Sequence, residues 1–187
     1  LRFAAGWTGP FLNLSGVVYD AKHGPNPSVA GDLAFVTNPS PGWSVDAGRS
    51  DRPGELADPR ATPFGPLPKS HGKYRGLYVH GSQVVVAYSI ADTDVLELPG
   101  LTQADGQNIF TRTLQLGPMK EGRTMVVADI TPFGKAPAVE KSASGATSLG
   151  FPAVEATKTL VTLAGAPEGA RIEIINGARV ILKIPAL

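Results

Sequence analysis

Three histidines, His23, His71 and His80, have the widest chemical repertoire in this chain. Imidazole nitrogens bind transition metals, and neutral imidazole also acts as a general base near neutral pH. The intervals between the three are long and irregular, unlike the short spacings that place two ligands on one face of a helix. We therefore interpret them as candidate ligand-binding residues at or near loops, and the sequence predicts no shared metal site.

A second group of candidates combines carboxylates with an arginine. Asp92 and Asp94 form a D-x-D pair after an apolar run, and such a pair either offers hard oxygens to Ca²⁺ or stabilises a turn. The glycine and terminal glutamate of an EF-hand loop are absent, which favours the turn. Arg112 falls on the apolar face of a predicted strand and needs a partner if it is buried. Asp92, Asp94 or Glu97 would serve.

The polar candidates indicate one place for a site. If the chain binds a ligand, we expect the site where the loops at residues 20–26, 69–75 and 91–94 converge, because binding residues concentrate on loops held by a rigid sheet. The candidate ligand-binding residues are His23, His71, Arg75, His80, Asp92, Asp94 and Arg112.

Aromatic residues and catalytic motifs leave the chemistry open. Four aromatic residues could stack on sugar rings, although core packing is the commoner role of such residues in a β-sandwich; they are Trp7, Trp43, Tyr74 and Tyr78. The chain has no G-x-S-x-G, no P-loop and no Rossmann fingerprint. Paired carboxylates of a glycosidase are defined by their separation, so the sequence does not decide whether the chain is an enzyme.

Composition excludes several classes of function. The 187 residues include no cysteine, which excludes disulfides, zinc–thiolate sites, iron–sulfur clusters and covalently attached c-type haem within them. The formal net charge of +1 does not favour a nucleic-acid partner. No run approaches the ~18 apolar residues of a transmembrane helix. The chain begins Leu1-Arg2-Phe3, and we expect it to be part of a longer polypeptide.

Turn chemistry predicts the elements that must position these residues. Apolar runs flank Gly81-Ser82, a pair suited to a type II′ hairpin turn, and we expect this hairpin to be the central pair of a sheet. Asn176-Gly177 predicts a type I′ hairpin near the other end. Residues 109–116 alternate between polar and apolar, as in a half-buried strand, and Pro99-Gly100 is expected to stop the strand before it.

The 22 glycines and 17 prolines favour short strands and many turns over long helices. We predict an all-β, mainly antiparallel, sandwich-like fold of about ten strands, forming a single domain over residues 1–187. Residues 37–75 form a Pro/Gly-rich excursion that Trp43, Phe64 and Leu67 should pin to the body, and a packed surface excursion is favoured over a substrate lid. Residues 132–157 should form a loose connection.

An ordered set of motifs resembles a known family. The motifs are Arg2-Phe3-Ala4-Ala5-Gly6-Trp7-Thr8-Gly9, Asp58-Pro59-Arg60, Pro63-Phe64-Gly65-Pro66-Leu67-Pro68, Tyr74-Arg75-Gly76-Leu77-Tyr78-Val79-His80-Gly81, Val84-Val85-Val86-Ala87-Tyr88, Val95-Leu96-Glu97 and Phe110-Thr111-Arg112-Thr113-Leu114. Over roughly residues 1–130 they resemble an uncharacterised β-rich domain of large secreted bacterial proteins. Those proteins also carry a sorbosone-dehydrogenase-like propeller and a c-type cytochrome module with a CxxCH motif.

The resemblance implies an extracytoplasmic location, periplasmic or secreted, and a neighbouring module that moves electrons. It supplies no catalytic residues, and any haem would belong to another segment or to a partner. We therefore expect a non-catalytic binding or scaffolding module of a larger redox protein, whose partners are other domains of the same polypeptide, another protein or a polysaccharide. The alternatives are a carbohydrate-active or carbohydrate-binding β-sandwich and a structural subunit of an assembly.

Overall fold

The structure is a computed structural model, and it describes residues 1–15, 17, 26–44, 56, 67, 69–130, 138–141, 146–151, 159–177 and 179–187. Strands make up 59% of the described residues, and helix is essentially absent from them. Each of the strand pairs in these ranges is antiparallel. The predicted all-β, mainly antiparallel fold class is thus confirmed.

Fourteen strands are present in the described ranges, more than the ten or so predicted. In chain order they are β1 (Ala5–Thr8), β2 (Leu12–Asn13), β3 (Ser28–Val29), β4 (Asp32–Val36), β5 (Gly72–His80), β6 (Gln83–Ile90), β7 (Thr93–Ala104), β8 (Gln107–Leu116), β9 (Arg123–Asp129), β10 (Ala138–Lys141), β11 (Thr147–Gly150), β12 (Leu160–Leu163), β13 (Arg171–Ile175) and β14 (Arg179–Ile184).

The strands form four sheets. Five strands make the first sheet in the order β1-β4-β9-β14-β13, and β5-β6-β7-β8 make a meander in chain order. A three-stranded sheet, β10-β11-β12, and the short pair β2-β3 complete the set. The chain therefore leaves the five-stranded sheet after β4, builds the whole meander, and returns to the first sheet with β9.

One hydrophobic core joins the three larger sheets. Tyr88 and Val95 of the meander, Leu182 of the five-stranded sheet and Leu149 of the three-stranded sheet are all buried in the same cluster. Trp43 is also part of it, with no exposed surface. On the opposite face of the five-stranded sheet, Val126 and Ile181 pack with Leu56, so the centre of that sheet is covered on both faces.

The meander divides into two hairpin arms. β6 and β7 pair only as far as Val86 opposite Glu97. The β5–β6 pairing continues to His80 opposite Gln83, and the β7–β8 pairing continues to Ala104 opposite Gln107. From Val86 towards the hairpin tips, the β5–β6 and β7–β8 hairpins thus extend as separate arms. All of these residues are described, and no hydrogen-bonded ladder joins the two arms.

The two predicted hairpin turns are present with the expected backbone. Gly81 has φ +57° and Ser82 is not in the positive-φ region, as a type II′ turn requires. Asn176 and Gly177 have φ +53° and +69°, as a type I′ turn requires. Sequence alone predicted these turns because each depends on two adjacent residues.

Longer-range expectations were less accurate. The Gly81 hairpin is not the central pair of its sheet, since β5 is the first strand of the meander and pairs only with β6 among the described residues. β7 continues through Pro99-Gly100 instead of stopping there. Because β6 no longer pairs with β7 beyond Glu97, a proline at this position removes no ladder bond on that side. The expected loose connection at 132–157 contains the strands β10 and β11.

Candidate functional site

A buried ion pair lies at the point where the two arms of the meander diverge. Arg112 on β8 donates from Nε to Glu97 Oε1 at 2.7 Å and from Nη2 to Glu97 Oε2 at 3.1 Å. Its Nη1 donates to the Val126 carbonyl of β9 at 3.0 Å. The guanidinium also lies 5.5 Å from the centre of the Phe3 ring. All three guanidinium nitrogens are engaged, and one of them links the meander to the five-stranded sheet.

Tyr88 and Trp43 extend the pair into the core. The Tyr88 hydroxyl donates to Glu97 Oε2 at 2.7 Å, and Trp43 Nε1 donates to the Tyr88 oxygen at 3.2 Å. Burial, followed by the negative charge of Glu97 and the hydrogen bond to it, raises the pKa of Tyr88 far above its usual range. The hydroxyl therefore stays protonated and remains a donor. We call Trp43, Tyr88, Glu97 and Arg112 the buried polar cluster.

The burial and pairing of the buried polar cluster indicate a structural role. Glu97 is 8% exposed and both of its oxygens accept hydrogen bonds from within the cluster. A general acid or base needs access to its substrate, whereas the Arg112 and Glu97 side chains are only 7% and 10% exposed. Of the three partners that the sequence offered for Arg112, the structure selects Glu97, because the two side chains lie diagonally on neighbouring strands and share one face.

Tyr88 gives a testable pH dependence. Its folded-state pKa lies above the unfolded value of about 10, so the unfolded chain loses the proton first as pH rises. The stabilisation by Tyr88 is therefore complete below about pH 10 and declines above it, by at most about 1.4 kcal/mol per pH unit. Denaturant unfolding of the wild type and of Tyr88→Phe from pH 8 to about 11 should show this decline only in the wild type. Tyr78→Phe, which changes an exposed tyrosine, should retain it.

A second buried arginine, Arg123, lies between β9 and the turn that joins β6 to β7. Arg123 on β9 is 6% exposed, and its closest charged partners are Glu121 at 3.4 Å and Asp92 at 3.9 Å. Its Nε has no hydrogen-bond partner among the described residues. The Asp92 carboxylate therefore lies beside an arginine at 3.9 Å. In the described part of the chain, no three His, Cys, Asp or Glu side chains are grouped as metal ligands.

The predicted site residues are only partly brought together. The His71 carbonyl accepts a hydrogen bond from the Ala91 amide at 2.6 Å, so the segments around residues 71 and 91 meet at one end of the meander. His80 ends β5, and eight residues of extended chain, about 26 Å, separate it from Gly72. His23 and most of the 20–26 loop lie outside the described residues. Whether all three loops converge thus stays a prediction.

One local assignment needs correction. Residues 72–75 belong to β5 and not to a loop, so Arg75 is a strand residue. It occupies a β-bulge, since the register shifts between Tyr74 and Gly76, and Gly76 has φ +148°. A bulge bends the strand and re-aims its side chains. Of the four aromatic residues that could stack on sugar rings, Trp43 is fully buried, in agreement with the core packing that the sequence favoured, whereas Tyr74 and Tyr78 are 62% and 65% exposed.

The exposed part of the candidate site is the strand β5, whose second half is exposed on both faces. Leu77, Tyr78 and Val79 are 53%, 65% and 69% exposed, although they form an apolar run inside a strand. Lys73 and Arg75 are exposed on the same strand, and the described residues provide no ion-pair partner for either. We call this surface the β5 edge; its residues are Lys69, Lys73, Tyr74, Arg75, Leu77, Tyr78, Val79 and His80.

Comparison with known proteins yields one finding. A family model described as a domain of unknown function, DUF6797, matches residues 1–97, which is more than half of the 187 residues. The chain belongs to the DUF6797 family. No curated protein and no solved structure matches the chain. This is consistent with an uncharacterised domain, as the sequence motifs indicated.

The DUF6797 match contains the whole β5 edge and ends at Glu97, within β7. Arg112, which neutralises Glu97, comes from β8 outside the match. The buried polar cluster of this DUF6797 chain therefore depends on residues from both parts. No helix among the described residues is long and apolar enough to span a membrane.

Proposed function

We propose that this chain is a non-catalytic binding or scaffolding module of a larger, extracytoplasmic, cytochrome-linked redox protein, and that the β5 edge holds a neighbouring domain. The observation that carries the proposal is the exposure of Leu77, Tyr78 and Val79 on a strand that, among the described residues, pairs with another strand on one side only. An exposed apolar edge strand favours association with another chain, and proteins usually cover or charge such an edge.

The buried polar cluster supports the non-catalytic part of the proposal. Its ionisable side chains are buried and paired with one another. The hydrogen bond from Arg112 to the Val126 carbonyl also connects the meander to the five-stranded sheet. The redox and extracytoplasmic parts rest on the resemblance of residues 1–130 to a domain of large secreted, cytochrome-bearing proteins. Because the chain has no cysteine, a c-type haem would be attached elsewhere in the polypeptide or to a partner.

The proposed link to a cytochrome can be tested on the native protein. Intact mass, peptide mapping and a haem stain should find these residues within a longer polypeptide that includes a CxxCH peptide carrying covalent haem. A haem-free native chain limited to these 187 residues would refute the redox linkage.

Hydrogen exchange tests the surface. The amides of residues 76–80 should exchange more slowly in the intact native protein than in the isolated chain, because a neighbouring domain covers them there. Amides of the β7–β8 turn near Asp105, which are exposed and lie outside the β5 edge, serve as the internal control. Equal exchange at residues 76–80 in the two samples would show that the β5 edge holds no domain.

A further inference from the structure

We infer that the segment received by the β5 edge is an extended, acidic stretch of polypeptide that adds to β5 as an antiparallel strand. This inference rests on the proposed function and deepens it, because it names the chemistry of the partner and the way in which it binds. Strand addition to a free edge uses main-chain hydrogen bonds for affinity and side chains for specificity.

Charge is the first argument. Residues 69–91 contain no aspartate and no glutamate, whereas they contain Lys69, Lys73 and Arg75. All three cations are exposed and have no ion-pair partner in the described part of the chain. By contrast, Arg112, Arg171 and Arg179 each have a carboxylate within 2.7 Å. The β5 edge thus collects positive charge that no described residue pairs, and an acidic partner would neutralise it.

The order of residues along the edge is the second argument. The cations occupy its first half, up to the bulge at Arg75, and the exposed apolar residues Leu77 and Val79 occupy its second half. The nine residues of β5 span about 26 Å. A partner strand antiparallel to β5 would therefore place apolar residues first, beside the hairpin tip, and acidic residues last, beside the cations.

Two other end strands of the described sheets, β8 and β13, lack this combination. The exposed polar residues of β8 are uncharged, and its arginine, Arg112, is buried in an ion pair. On β13, Arg171 is paired with Glu173. An antiparallel partner also agrees with the strand pairs of the fold, which are antiparallel throughout the described ranges. A second copy of the chain that paired through its own β5 would cover the apolar half of the strand. It would bring no carboxylate to the cations, because residues 69–91 contain no aspartate and no glutamate.

Synthetic peptides test the inference directly. The probe is a fluorescent nine-residue peptide that alternates valine and threonine in its first half and glutamate and threonine in its second half. The matched control replaces each glutamate by lysine. Fluorescence anisotropy with the full 187-residue chain should show binding of the glutamate peptide, at least about tenfold tighter than the lysine peptide, or about 1.4 kcal/mol. The affinity should fall as sodium chloride is added.

Two variants and one modified peptide localise the binding. Arg75→Glu should weaken binding of the glutamate peptide about tenfold, whereas Lys120→Glu, the same change at an exposed cation outside the β5 edge, should leave it within about twofold. Both substitutions are at exposed positions, and circular dichroism checks that both variants fold. A glutamate peptide with alternate amides N-methylated should lose binding, because it cannot form a β-ladder.

Several outcomes would overturn the inference. Equal binding of the two peptides, or equal loss in Arg75→Glu and Lys120→Glu, would remove the charge argument, and undiminished binding of the N-methylated peptide would remove strand addition. Sedimentation showing dimers that Tyr78→Glu dissociates would identify a second copy as the occupant. Binding of polygalacturonate that depends on Arg75, without peptide binding, would identify an anionic polysaccharide. If the peptides fail while residues 76–80 are protected in the intact protein, the acidic strand is refuted and the proposed function survives.

Discussion

Replacing Glu97 by glutamine is expected to destabilise the folded chain by about 3–5 kcal/mol, because the change removes one partner of a buried ion pair. Glutamine has nearly the same volume, so packing is retained, but the Arg112 guanidinium is left as a buried charge without a counter-ion. The Tyr88 hydroxyl also exchanges a charged acceptor for a neutral one. Urea unfolding monitored by circular dichroism at neutral pH measures the difference in free energy of unfolding.

Replacing Glu97 and Arg112 together should lower the free energy of unfolding by less than the sum of the two single replacements. Arg112→Met alone leaves the Glu97 carboxylate buried and uncompensated, whereas Glu97→Leu combined with Arg112→Met removes both charges. A double-mutant cycle should therefore give a coupling free energy of about 1–3 kcal/mol in favour of the pair. Glu173→Gln, which changes a carboxylate of the partly exposed Arg171–Lys183 cluster, is the control and should cost about 1 kcal/mol or less. A loss below about 1 kcal/mol in Glu97→Gln would contradict the interpretation that the pair is desolvated.

What the sequence predicted accurately depends on neighbouring residues. The Gly81 and Asn176-Gly177 turns were predicted because a positive φ at one or two positions selects the residue type. The alternation in β8 correctly placed Arg112 on the same face as Leu114. Because a cation on an apolar face requires a counter-ion, sequence also restricted its partner to three acidic residues, among which the structure has Glu97.

What the sequence missed depends on which strands are neighbours. An apolar run such as Leu77-Tyr78-Val79 is typical of a covered strand, and nothing in the run shows that β5 lies at the edge of its sheet. The separation of the two arms beyond Val86 is likewise a property of register between β6 and β7. The β5 edge was therefore predictable only in part. Arg75 and His80 were candidates for ligand binding and Tyr74 and Tyr78 for sugar stacking, whereas Leu77 and Val79 were predicted only as members of a strand.

Replacing Trp43 by alanine is expected to destabilise the chain by about 3–5 kcal/mol, the usual cost of removing a large buried aromatic side chain. Trp43 has no exposed surface, bridges the backbone of Met125 and packs against Tyr88 with ring centres 6.3 Å apart. It comes from the segment after β4, so it holds that segment against both larger sheets. Urea unfolding by circular dichroism measures the loss, since fluorescence would lose one of the two tryptophans.

Trp43→Phe separates the volume of the side chain from its hydrogen bond. Phenylalanine fills much of the site but cannot donate to the Tyr88 hydroxyl, so part of the loss should remain. That part should disappear when Tyr88 is already phenylalanine, because the Tyr88 oxygen that accepts the bond is then absent. Tyr78→Ala removes an aromatic ring that is 65% exposed and should cost about 1 kcal/mol or less. If Tyr78→Ala destabilised the isolated chain as much as Trp43→Ala, the β5 edge would be part of the core and could not be a surface that receives a partner.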